Sequence, residues 1–320
     1  MRIAIAGAGG LGYVLAQQIS QGAHALLVLS TREHPEYQEN LGVQVAVVDY
    51  SDVENLRYTL QGVDLLISTI GGNEQLNLID GARRARVRTF VPSEFEGDLA
   101  HRPDGNDTLD RGTSNVLDLL RRWAQSKTHK MQYTVFSCGV FMERFAYGGL
   151  ASFNIGHSQP GGTPAQGDYL VDIGLASAEI VDTNASGRSA HVSMTSVYDL
   201  ARFMAAAIEL GLSNWPQEYR MRGDNLTPRE IVQACKDVRR VPFTLVSHPY
   251  GNIESHLNYY EQAGDYARWM YFQRLQATAQ GRYNMRDTNL NTAVNRSSAV
   301  NVQPLTFRRW LEQNWGPAEE

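Results

Sequence analysis

The sequence predicts an α/β fold built on a doubly wound parallel sheet, with a smaller α/β lobe behind it, and three observations predict it. Short apolar runs alternate with helix-spaced patterns through the first half of the chain. A glycine-rich turn joins the first run to the first helix, and the alternation stops near Gly149. Strands buried on both faces read as continuous apolar runs, and strand–helix alternation at this pitch implies right-handed crossovers in a parallel sheet.

The strand-like runs are residues 3–6, 25–29, 44–48, 65–69, 89–91 and 133–137. Between them, residues 11–20, 53–60, 73–85 and 113–125 place apolar side chains at helical spacing. Six such strands fit a Rossmann-type sheet, which residues 1–150 are expected to form. Residues 154–167 are rich in Gly, Pro and polar residues and read as a loop. Beyond them come a strand at 192–194, a helix at 197–210, a helix opened by Thr227-Pro228-Arg229-Glu230, and an aromatic region at 250–272. Thr227 and Glu230 have capping-box spacing, and Pro228 falls where a missing N–H costs nothing. Residues 151–320 are expected to form a substrate-binding lobe.

The 320 residues suffice for a full core, and 42% hydrophobic with 20% charged residues is ordinary for a globular enzyme. A net charge of -5 supplies no basic field for nucleic acid or an anionic membrane, so a small molecule is the expected partner. No run approaches the ~18 apolar residues of a membrane span. The first strand begins at Met1 with no charged leader, so a reduced, cytoplasmic compartment is expected. Cys138 and Cys235 lack metal-ligand spacing, and no metal centre is expected. The cationic residues are lopsided: 26 are arginines, and the only lysines are Lys127, Lys130 and Lys236.

The motif Gly7-Ala8-Gly9-Gly10-Leu11-Gly12 follows the first strand and opens a helix. In that context a G-x-G-x-x-G match has a mechanism. Gly7 permits the tight turn, Gly9 lets backbone approach a pyrophosphate, and Gly12 allows close packing of helix on strand. The phosphates then rest at a helix N-terminus, whose free N–H groups and dipole favour anions. The second strand ends Leu29-Ser30-Thr31-Arg32, with no carboxylate before Glu33. An acidic residue there would suit a ribose 2′-OH; Arg32, with Thr31 beside it, suits a 2′-phosphate. NADP(H) is the expected cofactor.

Four further strand ends carry Val48-Asp49-Tyr50-Ser51-Asp52, Ile67-Ser68-Thr69-Ile70-Gly71-Gly72, Phe90-Val91-Pro92-Ser93-Glu94-Phe95 and Ser137-Cys138-Gly139-Val140-Phe141. With the glycine motif, these resemble the NmrA-like and isoflavone-reductase-like family of atypical short-chain dehydrogenases. The resemblance is strong to about Phe145 and continues weakly through residues 192–203 and 223–232. It implies that Asp49 and Tyr50 lie near the adenine and that Thr69, Ile70 and Gly71 pass beneath the middle of the cofactor. Pro92, Ser93, Glu94 and Phe95, with Gly139, Val140 and Phe141, would surround the nicotinamide.

One family feature is missing. Reductases of this family carry an acid/base lysine on the helix after the Pro-Ser-Glu-Phe segment. Aligning Val116, Leu119 and Leu120 with that helix puts Thr113 in its place, and a slip of one residue gives Ser114. Neither is a base at neutral pH. Arg111 lies nearby and is a poor proton shuttle, although it can serve as a fixed cation near an oxyanion. The Tyr-x-x-x-Lys pair of short-chain dehydrogenases is absent too, because no lysine follows Tyr133. Candidate acid/base groups are therefore Glu94 and His157, with Thr113 at the vacated position. Tyr147, Tyr169, His248, Tyr250, His256, Tyr259 and Tyr260 are candidates to line an apolar or aromatic substrate pocket. Three functions stay open: an NADPH-dependent reductase of an aromatic or polycyclic molecule, a redox-neutral isomerase or cyclase that retains NADP(H), and a non-catalytic NADP-sensing regulator.

Overall fold

In the computed structural model, which describes residues 1–103, 105, 107–156 and 165–316, the apolar runs form strands as their burial demands. β1 (Arg2–Ala6) leads into α1 (Gly10–Ile19), β2 (Ala25–Ser30) into α2 (Pro35–Leu41), and β3 (Gln44–Val47) into α3 (Val53–Thr59). β4 (Leu65–Ser68) leads into α4 (Gly72–Arg84), and β5 (Thr89–Val91) into a long loop, α5 (Thr113–Ala124) and β6 (Gln132–Tyr133). The six strands are parallel in the order β3-β2-β1-β4-β5-β6, the doubly wound order, with its reversal between β1 and β4. Helix α2 was not legible in the sequence: of its residues only Tyr37 is buried, so the apolar stripe has no period. Pro35 starts it, and Gly42 ends it with φ +65°.

The sixth run does not form one strand. It breaks at Thr134 into β6 and β7 (Val135–Ser137), and the latter pairs with a strand from the second half. There follow β8 (Val140–Phe141), β9 (Val171–Asp172), β10 (Ser177–Val181), β11 (Val192–Thr195), α6 (Val197–Glu209), β12 (Glu218–Arg220), β13 (Asp224–Leu226) and α7 (Pro228–Arg239). β14 (Thr244–His248), α8 (Ile253–Ala263), α9 (Tyr266–Ala279), α10 (Asn289–Arg296) and α11 (Phe307–Trp315) complete the chain. The expected capping box opens α7: Thr227 accepts from the Glu230 N–H, and the Glu230 carboxylate accepts from the Thr227 N–H.

The two halves interleave. β7 pairs with β12, and β8 with β11, which pairs in turn with β13. Helix α6 lies on α1, and Leu290 and Val294 of α10 share the core that contains Ile3 and Ile5. A second core joins α7, α8, α9 and α11 around Phe272, Phe307 and Trp310. Among the described residues no helix is long and apolar enough to cross a membrane.

Candidate active site

A cleft of about 1170 Å³ runs across the C-terminal ends of β1, β2, β4 and β5, at the crevice where the strand order reverses. Its first end is the glycine turn. Gly7 has φ +104°, and a Cβ there would lie 2.4 Å from Thr69 Oγ1, whose hydroxyl donates to the Ala6 carbonyl at 3.0 Å. A Cβ on Gly12 would stand 2.0 Å from the Gly7 carbonyl oxygen. These two glycines do what the motif requires. The tightest approach falls elsewhere than expected: a Cβ on Gly10 would lie 1.7 Å from the Phe153 carbonyl, against 3.5 Å from Gly9 to that of Asn154. The chain thus crosses over the turn, and the Gly10 N–H donates to the Asn154 carbonyl at 3.1 Å.

Leu11, Thr31 and Arg32 line the same end, together with Thr69, Ile70 and Gly71. Arg32 is exposed and, among the described residues, has no salt bridge. The neighbouring Glu36 is engaged by His34, 2.7 Å away, and this hydrogen bond chiefly holds its carboxyl below the ordinary range. Tyr50 lines the cleft but is buried, its hydroxyl donating to the Leu29 carbonyl at 2.9 Å. Asp49 does not reach the cleft. It is exposed and accepts from the Ser51 N–H and hydroxyl in an Asx turn.

At the other end Ser93, Phe95, Gly139, Val140 and Phe141 line the walls. The Ser93 N–H donates to Gln75 at 2.7 Å, and the Gly139 N–H to the Glu96 carbonyl at 3.0 Å. Pro92 is buried behind them and does not line the cleft. None of the aromatic candidates Tyr147, Tyr169, His248, Tyr250, His256, Tyr259 and Tyr260 lines it either. Tyr147 is exposed, Tyr169 is core, bonded to Thr278, and His256 stacks on Phe272 with ring centres 4.5 Å apart. In their place stand Glu96, Leu109, Asp110, Arg111, Arg144, Met270, Arg274 and Tyr283.

Thr113 lines the cleft, and Glu94 lies buried behind it. The Thr113 hydroxyl donates to Glu94 Oε2, Arg102 donates to Oε1 at 2.5 Å, and Arg111 stands 3.8 Å from that oxygen. Glu94 is therefore an anchor beneath the wall and does not face the cleft, which corrects its assignment as an acid at the reaction centre. Next to it, Glu96 accepts from Arg282 at 2.9 Å and from the Tyr283 hydroxyl at 3.4 Å. Burial works to raise the Glu96 pKa, but the guanidinium groups of Arg282, Arg111 and Arg102 outweigh it and hold it down to about 2. Burial pushes the Tyr283 hydroxyl up to about 12. His157 lies outside the described residues. Both cysteines are buried and free, and burial pushes the Cys235 thiol up to about 12.

The model of the NmrA-like family matches residues 1–269. This chain belongs to the NmrA-like family. Among curated relatives, it is 27% identical over 243 residues to Oxidoreductase BOA1 of Botryotinia fuckeliana (strain B05.10), covering 72% of this chain and 74% of that one. To Phenylcoumaran benzylic ether reductase 1 of Arabidopsis thaliana it is 28% identical over 183 residues, 53% of this chain and 56% of the other. The solved structure of AtPrR2 with NADP+ and (+)pinoresinol has the same fold, with a TM-score of 0.70 at 17% identity and 98% coverage of both chains. So has the NADPH-dependent quinone oxidoreductase QOR2 of Escherichia coli complexed with NADPH, with a TM-score of 0.67 at 16% identity, covering 97% and 99%.

The departure noted in the sequence acquires a shape here. A hydroxyl bonded to a buried carboxylate stands where the lysine was expected, and Arg102 and Arg111 bring the positive charge. Sequence reasoning missed Arg274, Met270 and Tyr283 of this NmrA-like chain, because no motif surrounds them. The excess of arginine over lysine was the one available signal.

Proposed function

We propose that the chain is an NADP(H)-dependent oxidoreductase that reduces acceptors needing no proton from the protein in the hydride step. One observation carries this reading: the cleft joins a glycine cradle and Arg32 to an end where, among the described residues, a guanidinium stands and the Tyr283 hydroxyl is already given to Glu96. The cradle fits a dinucleotide, since Gly7 and Gly12 leave no room for side chains and α1 begins there. Arg32 and Thr31 are placed to hold a 2′-phosphate. When bound, NADPH supplies a hydride.

The protein's part is binding and electrostatics. Phe95, Leu109, Phe141 and Met270 give the far end apolar walls for a ring-bearing substrate. Arg111 lines the same end and would steady charge gathering on an acceptor oxygen, while Glu94 fixes the wall from behind. Thr113 spends its proton on Glu94, Tyr283 spends its own on Glu96, and Glu96 has none to give. Quinones and conjugated carbonyls suit such a site because the hydroquinone anion or enolate formed by hydride addition persists until solvent protonates it, and iminium ions because hydride addition gives a neutral amine that needs no proton. The named activities of the quinone oxidoreductase and of the triphenylmethane reductase of Citrobacter sp. agree with this class.

The test is NADPH oxidation, followed near ~340 nm, against a panel of quinones, enones, iminium salts and simple ketones. Turnover is expected with the first three and not with simple ketones. If NADPH binds but none of the panel consumes it, the reading fails. A product of unchanged oxidation state would give the site to the isomerase reading. Arg111→Met is expected to lower kcat by about 100-fold, the cost of one oxyanion donor, with NADPH affinity unchanged. Arg32→Ala is expected to reduce the preference for NADPH over NADH by about 10- to 100-fold, the worth of one charge-assisted hydrogen bond. Equilibrium titration with both dinucleotides checks it.

A further inference from the structure

We propose that the substrate carries a carboxylate, which the guanidinium of Arg274 receives. This deepens the oxidoreductase reading and rests on it for the cleft's role. Among the described residues, the carboxylates at this end of the cleft are already hydrogen-bonded: Glu94 to Thr113 and Arg102, Glu96 to Arg282 and Tyr283, and Asp107 to Arg282. Asp110 accepts from the N–H of Thr113 at 2.6 Å, at the start of α5. Asp168 receives Arg144 fork to fork, Nε to Oδ1 at 3.0 Å and Nη2 to Oδ2 at 2.9 Å.

Arg274 and Arg111 are left over. Arg274 makes one hydrogen bond among the described residues, from Nη1 to the Asp168 main-chain carbonyl at 3.0 Å, and stands 3.6 Å from a carboxylate oxygen that Arg144 already holds. Its side chain is only 17% exposed, and it lines the cleft one helical turn from Met270. Arg111 makes no hydrogen bond among the described residues, its nearest carboxylate oxygen lying 3.8 Å away. Burial and the neighbouring Arg144 push the Arg274 guanidinium below its ordinary range, the direction that marks incomplete compensation. A half-buried guanidinium with unspent donors is costly, and a planar two-oxygen anion matches its fork. The cofactor's phosphates belong to the opposite, glycine end, so the missing acceptor is assigned to the substrate. Leu109, Phe95, Phe141 and Met270 then surround the apolar body of the substrate.

The experiment compares 3-benzoylacrylate with its methyl ester, which share ring and enone and differ in charge. In each case a hydride and a solvent proton convert the alkene to the saturated ketone while NADPH becomes NADP+. The wild-type protein is expected to show at least a tenfold higher kcat/KM for the acid, chiefly through KM, and to lose that preference at high salt. Arg274→Gln, which retains a donor for the Asp168 carbonyl, is expected to abolish the preference without changing NADPH affinity or the melting temperature. Arg274→Lys, which keeps the charge without the fork, is expected to restore part of it.

Binding of benzoate and benzamide to the NADP+-loaded protein, by calorimetry, separates this proposal from the reading beneath it. Benzoate heat that vanishes in Arg274→Gln upholds the carboxylate site even if no enone is reduced. Equal treatment of acid and ester, with no benzoate binding, overturns it, as does a preference that survives Arg274→Gln.

Discussion

Replacing Arg282 by methionine is expected to destabilise the fold by about 3–5 kcal/mol, the cost of removing one partner from a buried ionic cluster. Arg282 is 1% exposed and grips Asp107 through Nη1, at 2.9 and 2.7 Å, and Glu96 through Nη2. Its carbonyl accepts from the Asp98 N–H at 2.9 Å, and Gly97 packs so closely on it that a Cβ would approach to 2.1 Å. The residue thus ties the loop after β5 to the end of α9. Methionine would leave Asp107 without its ion-pair partner among the described residues, and Glu96 with Arg102 and Arg111 as its remaining cations. Urea denaturation measures the loss, and a value below about 1 kcal/mol, the range of exposed pairs, would show that those two arginines suffice.

The same cluster sets an acid limit. The folded-state pKa of Glu96 lies at about 2, below that of an unfolded glutamate. Its contribution is therefore complete above the ordinary carboxylate range and is lost as pH falls from that range through about 2. Stability should decline more steeply over this window in the wild type than in Glu96→Gln. Parallel slopes would exclude Glu96 as the responsible group.

Gly12→Ala is expected to weaken NADPH binding by about 100-fold, equivalent to about 2.7 kcal/mol. The new methyl would stand 2.0 Å from the Gly7 carbonyl, so α1 must withdraw from β1 and take its N-terminal amides with it. Gly10→Ala should act similarly through a different neighbour, the Phe153 carbonyl at 1.7 Å. Gly251→Ala is the control, since a Cβ there meets no atom within 4 Å. Calorimetric titration with NADPH decides the matter, and an affinity for Gly12→Ala within threefold of wild type would mean that the turn does not hold the diphosphate.

The sheet was legible because each of its central strands is covered on both sides. Ile3, Ala4, Ile5 and Ala6 are all fully buried, so the pattern is a run with no polar interruption. The glycine turn was legible because packing forbids a side chain at Gly7 and Gly12. What escaped was long-range. The split of residues 133–137 between two partners depends on β12, eighty residues later, and leaves no trace in the local pattern. Asp49 was assigned by family position, but a local turn to Ser51 claims its carboxylate. Of the aromatics of α8 and α9, His256 and Phe272 proved to be packing and Tyr259 is exposed, while arginines are among the groups that face the cleft. Arginine in a sequence reads as surface, and only the spatial count of carboxylates distinguishes a solvated guanidinium from one awaiting an acceptor.

The crossed pairing of β7 with β12 and β8 with β11 bears on how the polypeptide can be divided. A fragment ending near residue 150 would lack β12, leaving a bare strand edge, and would lack α6, uncovering the apolar flank of α1. Such a truncation is a self-adhesive species, not a portable nucleotide module. Engineers wishing to transplant the dinucleotide cradle must carry residues 197–220 with it.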